Sequence, residues 1–186
     1  MKSQLFAPLF ALALVASASF TASAAENTVM VGGAAMYPSK DIIDNAVNSK
    51  DHTTLVAAVK AAGLVETLKG KGPFTVFAPT NEAFGALPAG TVDTLLKPEN
   101  KDALVKVLTY HVVPGRISAN ELIKRIKAGK GKAMLKTVQG GELTASLDGK
   151  SVILTDEKGG KAMVTQADVF QKNGVIHVTN AVSLPQ

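Results

Sequence analysis

The sequence of 186 residues contains no cysteine and no tryptophan, and it has only three histidines. The absence of cysteine excludes disulfide bonds, thiolate metal ligands, cysteine nucleophiles and lipid attachment to an N-terminal cysteine. Aromatic residues make up only 5%, so there is little material for stacking on nucleic-acid bases. Hydrophobic residues make up 46% and charged residues 19%, which excludes a disordered chain. The composition therefore favours a folded domain with a binding or structural role.

The first 24 residues have the pattern of a secretory signal peptide. Lys2 is the only charged residue before Glu26, and an apolar run over 5–15 follows it. Residues 22–24 have the small side chains that a signal peptidase accepts. The apolar run is shorter than the roughly 20 residues that a membrane-spanning helix needs. We therefore expect a signal peptide over 1–24 and a periplasmic or secreted protein without a transmembrane anchor.

Periodicity divides the remaining chain into a helical first half and a strand-rich second half. Residues 25–37 contain glycine and proline without periodicity, so we expect an irregular lead-in before a single domain over 38–186. Ser118 and Glu121 have the spacing of a helix capping box. Apolar spacing predicts helices over 55–62, 103–108 and 118–126, with shorter ones near 41–47, 81–86 and 91–96.

Strand signals dominate the rest. Residues 74–78 are rich in β-formers and lie between two prolines, and apolar residues alternate over 142–147. Asp148-Gly149 predicts a tight hairpin, and Asn173-Gly174 predicts a turn into a final strand over 175–178. Because helices and strands are largely segregated along the chain, we predict an α+β fold.

Motifs for catalysis and metal binding are absent from the sequence. Thr144 stands where a phosphate-binding loop ending at Ser151 needs its first glycine. No Gly-x-Ser-x-Gly motif is present, and His111 and His177 lie in apolar, strand-like contexts typical of core histidines. The histidines also lack the short spacing of a metal site. We therefore predict no enzyme, no cofactor and no metal.

A cationic stretch has no acidic residue between Glu121 and Glu142. Such a run is typical of a solvated face, or of a site for polyanions. No aromatic residues interleave it, so nucleic acid is not an expected partner. The alternative function is a periplasmic small-ligand or polyanion-binding protein that uses this basic 124–136 face. Its cations are Lys124, Arg125, Lys127, Lys130, Lys132 and Lys136.

Three segments together resemble the signature motifs of the fasciclin domain. Residues 72–84 (GPFTVFAPTNEAF) resemble its first box, 108–115 (LTYHVVPG) its central Tyr-His segment, and 173–178 (NGVIHV) its second box. Their order and spacing match the family over about residues 38–185. The resemblance implies an α+β domain in which β-strands form a wedge or sandwich, with several helices packed around it.

The same resemblance implies a non-enzymatic adhesion or interaction module that binds a cell-surface, matrix or polysaccharide partner. Members that bind integrins use the Tyr-His segment and an Asp-Ile pair before the second box. The matching positions are Tyr110, His111, Asp168 and Val169, which we therefore expect to be the binding residues. The alternative is a purely structural role: Tyr110 and His111 in the core and Asp168 in a turn or at a strand edge. Self-association would supply the multivalency that one domain lacks.

Overall fold

The computed structural model describes residues 27–186, so the predicted signal peptide lies outside the described residues. The described chain contains seven α-helices, two short 3₁₀ helices, a two-stranded hairpin and a seven-stranded sheet. The helices are α1 (Ile42–Ala46), α2 (Thr53–Ala62), α3 (Val65–Lys69), α4 (Asn81–Gly85), α5 (Thr91–Leu95), α6 (Lys101–Tyr110) and α7 (Ala119–Ala128), with 3₁₀ turns at Lys50–His52 and Pro98–Asn100. The strands are β1 (Val29–Val31), β2 (Ala34–Met36), β3 (Phe74–Pro79), β4 (Val112–Pro114), β5 (Lys132–Lys136), β6 (Glu142–Asp148), β7 (Ser151–Thr155), β8 (Lys161–Gln171) and β9 (Gly174–Thr179).

Local signals set the ends of the helices. The Ser118 hydroxyl accepts the Glu121 N–H at 3.3 Å, which confirms the predicted start of α7. Gly63 ends α2 in the left-handed conformation at φ 72°, where a side chain would be strained. The strand-like prediction for His111 was wrong: α6 continues to Tyr110, and His111 is its C-cap.

The seven-stranded sheet has the order β4-β3-β9-β8-β7-β6-β5 and is nearly closed. Only β3 and β9 pair in parallel, and both are buried along almost their whole length. Strands that are covered on both faces of the sheet have nearly continuous apolar sequences, because every side chain is buried. The edges approach each other where the Val138 N–H donates to the Val112 carbonyl at 2.8 Å. The predicted hairpin is confirmed, because Asp148 pairs with Ser151 across a two-residue turn.

Two hydrophobic clusters fill the domain, one on each face of β3. Val76 and Ala78 belong to the first cluster, which the hairpin, α1, α2 and α6 cover. Phe77 points the other way, into the second cluster, which α7 covers with Leu122 and Ile126. The predicted α+β class is therefore confirmed, with the sheet separating two cores.

The segment expected to be an irregular lead-in is partly ordered. Strands β1 and β2 form a hairpin across Gly32 and Gly33, whose φ angles of 56° and 76° suit glycine. Val31 and Met36 are 6% and 3% exposed and join the first cluster. The hairpin therefore packs as part of the domain, because its two apolar side chains close one side of the core.

Gln171 is a buried polar residue whose side chain has no hydrogen-bond partner among the described residues. It is 1% exposed, and neither its Nε2 nor its Oε1 is bonded. Because a buried unpaired amide costs about 1–3 kcal/mol, we expect Gln171→Met to raise the free energy of unfolding by about 1 kcal/mol. Gln139→Met is the matched control and should lower it, since Gln139 Oε1 accepts the Gly141 N–H at 2.9 Å. Urea denaturation measures both, and a destabilised Gln171→Met would contradict the prediction.

Candidate interaction surface

Tyr110 is placed inside the protein, at the end of α6. Its side chain is fully buried, and its hydroxyl donates to the Glu142 carbonyl at 2.7 Å. The same oxygen accepts the Glu157 N–H at 3.2 Å. Burial raises the pKa of the Tyr110 hydroxyl to about 12, so it stays protonated as a donor. The ring therefore links α6 to β6 and to the turn between β7 and β8.

His111 is buried beside it and connects α6 to the C-terminal segment. Its Nδ1 lies 2.8 Å from the Val107 carbonyl, and its Nε2 accepts the Ser183 N–H at 3.0 Å. This pairing requires the proton on Nδ1, so the ring is neutral. Burial lowers the pKa of His111, which favours the same neutral form. Both ring nitrogens are thus engaged with the backbone.

Asp168 lies on a bulge of β8, where the register with β9 shifts between Gln166 and Val169. Its φ of 60° is in the left-handed region, which Asp tolerates better than most residues. Its carboxylate accepts the Ala119 N–H at 2.7 Å, at the first residue of α7. Its own N–H donates to His177 Nδ1 at 3.3 Å. The bulge is thereby fixed to α7 and to β9.

His177 supports this bulge from within the core. Its Nε2 lies 2.7 Å from the Ile117 carbonyl and its ring stacks on Phe77, with centroids 5.6 Å apart. The Nε2 proton must donate to that carbonyl, because Nδ1 accepts from Asp168. Burial lowers the pKa of His177, so the neutral ring is favoured. One buried imidazole therefore holds β9, the bulge and the start of α7 together.

A partly exposed aromatic residue, Phe170, lies in β8 between two positions that side-chain hydrogen bonds fix to the rest of the fold. Arg116 donates to the Gln171 and Lys172 carbonyls, each at 2.9 Å, while Asp168 binds Ala119 at the other end. Phe170 lies between them in β8 and is 37% exposed. We call Arg116, Asp168 and Phe170 the bulge surface. Val169 points to the first core cluster and is 1% exposed.

Of the four expected binding residues, only Asp168 therefore reaches this surface. Tyr110, His111 and Val169 are buried, so direct contact with a partner by those three stays a prediction that needs the surface to open. The sequence did not point to Phe170, because the bulge breaks the alternation that would have assigned its face. Nor did it point to Arg116, whose partners are distant backbone carbonyls.

The basic stretch is divided between two surfaces. Ile126 of α7 and Leu135 of β5 lie in the same cluster, so α7 covers the inner face of that strand. Lys132 and Lys136 alternate with buried residues and face outward, away from the helix. The cations of α7 lie on the solvent side of the helix, on the opposite side of the sheet from those lysines. The cations of α7 and those of β5 therefore point in different directions, and the exposed Lys130 lies in the turn between them.

Within residues 27–186, no group of His, Asp and Glu side chains could hold a metal ion. Over the same residues, none of the helices is long and apolar enough to cross a membrane.

The fold defines the class of protein: an α+β module in which a nearly closed seven-stranded sheet separates two cores, with His111 and His177 buried and bonded to the backbone. The sequence profile described as "Fasciclin domain" matches residues 50–185. The chain therefore belongs to the fasciclin domain family, whose members are adhesion or interaction modules.

Relatives span bacteria and animals. The chain is 48% identical to "Protein sll1483" of Synechocystis over 95% of this chain and 91% of that protein. It is 35% identical to "Immunogenic protein MPB70" of Mycobacterium bovis, over 75% of this chain and 66% of that protein. Among solved structures, a FAS1 domain pair from the insect cell adhesion molecule fasciclin I matches with a TM-score of 0.70 and 16% identity, covering 78% of this chain and 51% of that one. That likeness confirms the fold.

Removing the Tyr110 hydroxyl is expected to cost stability and to leave surface binding unchanged. Tyr110→Phe leaves the Glu142 carbonyl and the Glu157 N–H without this buried partner, so the free energy of unfolding should fall by about 1–3 kcal/mol. Tyr37→Phe, at a tyrosine that is 39% exposed, is the control and should change it by less than about 0.5 kcal/mol. Equal effects in urea denaturation would contradict the assigned role of the hydroxyl.

Proposed function

We propose that this protein is an exported, non-enzymatic interaction module that adheres to a cell-surface, matrix or polysaccharide partner. Family membership supports the general role, and one of the solved relatives is an insect cell adhesion molecule. A periplasmic or secreted location rests on the signal-peptide pattern of residues 1–24. The absence of catalysis is supported by His111 and His177, whose ring nitrogens are all engaged with backbone groups.

The observation that carries the proposed site is the exposed Phe170 held between two fixed points. Binding loses less conformational entropy when the contact residues are already ordered, and the tethers at Arg116 and Asp168 supply that order. Phe170 is partly exposed and adjoins in sequence the two carbonyls that bind Arg116, and aromatic residues and arginine are the types enriched at interface centres. Within this proposal, Val169 anchors the bulge in the first core cluster, whereas Tyr110 and His111 stabilise other parts of the fold.

The polyanion-binding alternative predicts a different response to salt. Contacts between exposed lysines and a polyanion are screened over about 8 Å at physiological ionic strength, whereas an apolar contact is much less sensitive. The division of the basic stretch leaves Lys132 and Lys136 on the outer sheet face and Lys124 and Lys127 on α7. Replacing each lysine pair separately would therefore show which of the two groups a polyanion contacts.

The test is binding of the exported protein to arrays of matrix proteins, acidic polysaccharides and intact cells at low and physiological salt. We expect saturable, salt-tolerant binding that Phe170→Ala weakens at least tenfold, as removal of a central aromatic contact does. Met134→Ala is the control, because Met134 is 61% exposed on β5, far from the bulge surface in strand order. Binding only at low salt, lost on replacing Lys132 and Lys136 or Lys124 and Lys127, would instead support the polyanion function. Equal affinities of the Phe170 and Met134 variants would refute the proposed surface.

A further inference from the structure

Three exposed cations from separate parts of the chain meet at the end of β8. Lys172 lies in the two-residue turn between β8 and β9, and its N–H donates to the Lys40 carbonyl at 2.9 Å. The Arg116 guanidinium donates to the Lys172 carbonyl at 2.9 Å. Gly72 packs so closely on the same turn that a side chain there would clash with the backbone of the turn, and this contact brings the preceding Lys71 close as well. We call Lys71, Arg116 and Lys172 the basic cluster; all three are exposed.

The positive charge of the basic cluster is not balanced by neighbouring carboxylates. Within residues 27–186, none of its three cations forms an ion pair. The nearby carboxylates act on Lys69 instead. The Lys69 Nζ lies 2.8 Å from Asp44 and 4.0 Å from Asp41, and Glu66 of the same helix adds to their effect. The cluster therefore leaves a positive potential at this end of the sheet, which attracts anions.

The Arg116 side chain is held in place and still has donors to offer. Its Nη2 donates to the Gln171 and Lys172 carbonyls, each at 2.9 Å. A guanidinium carries five N–H groups, so the groups on Nε and Nη1 remain, and these make no hydrogen bond with the described residues. A cation that is already ordered loses less side-chain entropy when it binds an oxyanion. Arg116 is therefore prepared to bind a carboxylate or sulfate group from solution.

A partly exposed aromatic ring precedes the basic cluster along β8. Phe170 comes two residues before Lys172, so their α-carbons are about 7 Å apart along an extended chain. Beyond the bulge, β8 pairs regularly with β9 as far as Gln171, and alternate residues of a regular strand face the same side. The C–H face of a sugar ring packs on an aromatic ring, whereas carboxylate and sulfate groups bind cations. Together the two kinds of side chain suit a negatively charged sugar.

We propose that the bulge surface and the basic cluster together bind an acidic polysaccharide. Phe170 packs against a sugar ring, Arg116 donates to a carboxylate or sulfate group, and the two lysines attract anionic groups further along the polymer. Cations on three separate chain segments suit an extended polymer with an anionic group on each repeat better than one small anion. This inference rests on the proposed function, and it selects the polysaccharide among the three classes of partner named there.

Polygalacturonate and dextran are the probes, because the first carries a carboxylate on each sugar and the second carries no charge. Each is titrated into the exported protein at low and at physiological ionic strength, and binding is followed by calorimetry. We expect saturable binding of polygalacturonate and no binding of dextran. Salt should weaken the affinity severalfold, because it screens the exposed cations, but binding should persist at physiological ionic strength, because the contact of Phe170 is not screened.

Variants with equal net charge separate a local contact from a general effect of charge. Replacing both Lys71 and Lys172 with Gln should weaken polygalacturonate binding about tenfold, the effect of two exposed ion pairs. The control replaces both Lys158 and Lys161 with Gln, which are exposed as well and lie at the other end of β8, roughly 30 Å away along the strand. Because that distance is several Debye lengths, the control should weaken binding less than about twofold. Phe170→Ala should weaken it at both ionic strengths.

The absence of saturable polygalacturonate binding at both ionic strengths would overturn the proposal. So would equal affinities of the two double-lysine variants, which would show that only total charge matters. If Phe170→Ala weakens adhesion to a matrix protein or to cells while polygalacturonate does not bind, the proposed function stands and this inference alone fails. Binding confined to acidic matrix proteins, and lost on replacing Lys71 and Lys172, would likewise refute the polysaccharide and leave the proposed function intact.

Discussion

Lowering the pH from about 7 to about 5 is expected to destabilise the folded protein steeply, because three buried histidines must stay neutral in it. Burial lowers the pKa of His52, His111 and His177 in the folded state, while the value in the unfolded chain stays near 6.5. Backbone carbonyls oppose the shift, but burial is the larger effect. Below pH 6.5 the unfolded chain therefore binds protons that the folded protein does not.

The sign and the size of the effect follow from this difference. Stability rises with pH wherever the unfolded state binds more protons, so it is complete above about pH 6.5 and decreases as the pH falls. Each histidine that becomes charged only on unfolding lowers the stability by up to about 1.4 kcal/mol for each pH unit below 6.5. The three together lower it by up to about 4 kcal/mol per pH unit. Because the free energy of unfolding of a typical domain is about 5–15 kcal/mol, a large part of it would be lost when the pH falls by two units.

Urea denaturation at about pH 7.5, 6.5 and 5.5 measures this dependence. The control is His52→Phe, which removes one titrating group and should reduce the slope below pH 6.5 by about a third. His52 is the best choice because its ring makes one hydrogen bond, to Ser49, whereas the other two rings each make two. A stability that stays constant between pH 7.5 and 5.5 would contradict the inference that these histidines are neutral.

Local sequence patterns predicted those parts of the fold that local interactions determine. The alternation over 142–147 and the Asp148-Gly149 turn predicted β6 and its hairpin, because strand register and turn type are set within a few residues. The hairpin of β1 and β2 was missed, since each strand has only three residues. Its stability comes from packing of Val31 and Met36 against residues distant in sequence.

The sequence predicted the region of the candidate site but not which side chains form it. The resemblance pointed to Asp168, and the structure places it half-buried on a bulge, whereas Phe170, two residues further on, carries the exposed apolar area. Apolar and β-branched residues around His111 suit a strand or a buried helix equally, and the periodicity of α6 extends through Tyr110. Which face a bulged strand presents depends on its pairing partner, and a single sequence does not contain that information.

Removing the Asp156 carboxylate is expected to be among the most destabilising single substitutions outside the apolar core. Asp156 is 8% exposed, and its Oδ1 accepts the N–H groups of Lys158 and Gly160 at 3.0 Å and 2.6 Å. Its Oδ2 accepts the Leu184 N–H at 2.9 Å, which fixes the C-terminal segment to the turn between β7 and β8. Asp156→Ala loses all three bonds and should lower the free energy of unfolding by about 3 kcal/mol or more, because hydrogen bonds to charged groups contribute about 1.5–3 kcal/mol each.

Glu157→Ala is the matched control, since this neighbouring carboxylate also accepts two N–H groups, from Glu142 at 3.0 Å and Gln186 at 3.3 Å, but is exposed. Water can replace the exposed partner, so we expect a loss of about 1 kcal/mol or less. Asp156→Asn should lose an amount of stability between those of Asp156→Ala and Glu157→Ala. Its amide oxygen can still accept from the turn, but its NH₂ group would face the Leu184 N–H, and two donors cannot bond each other. Amide hydrogen exchange at Leu184 should accelerate in both Asp156 variants and change little in Glu157→Ala. Equal losses for Asp156→Ala and Glu157→Ala would show that burial of the carboxylate does not determine its contribution.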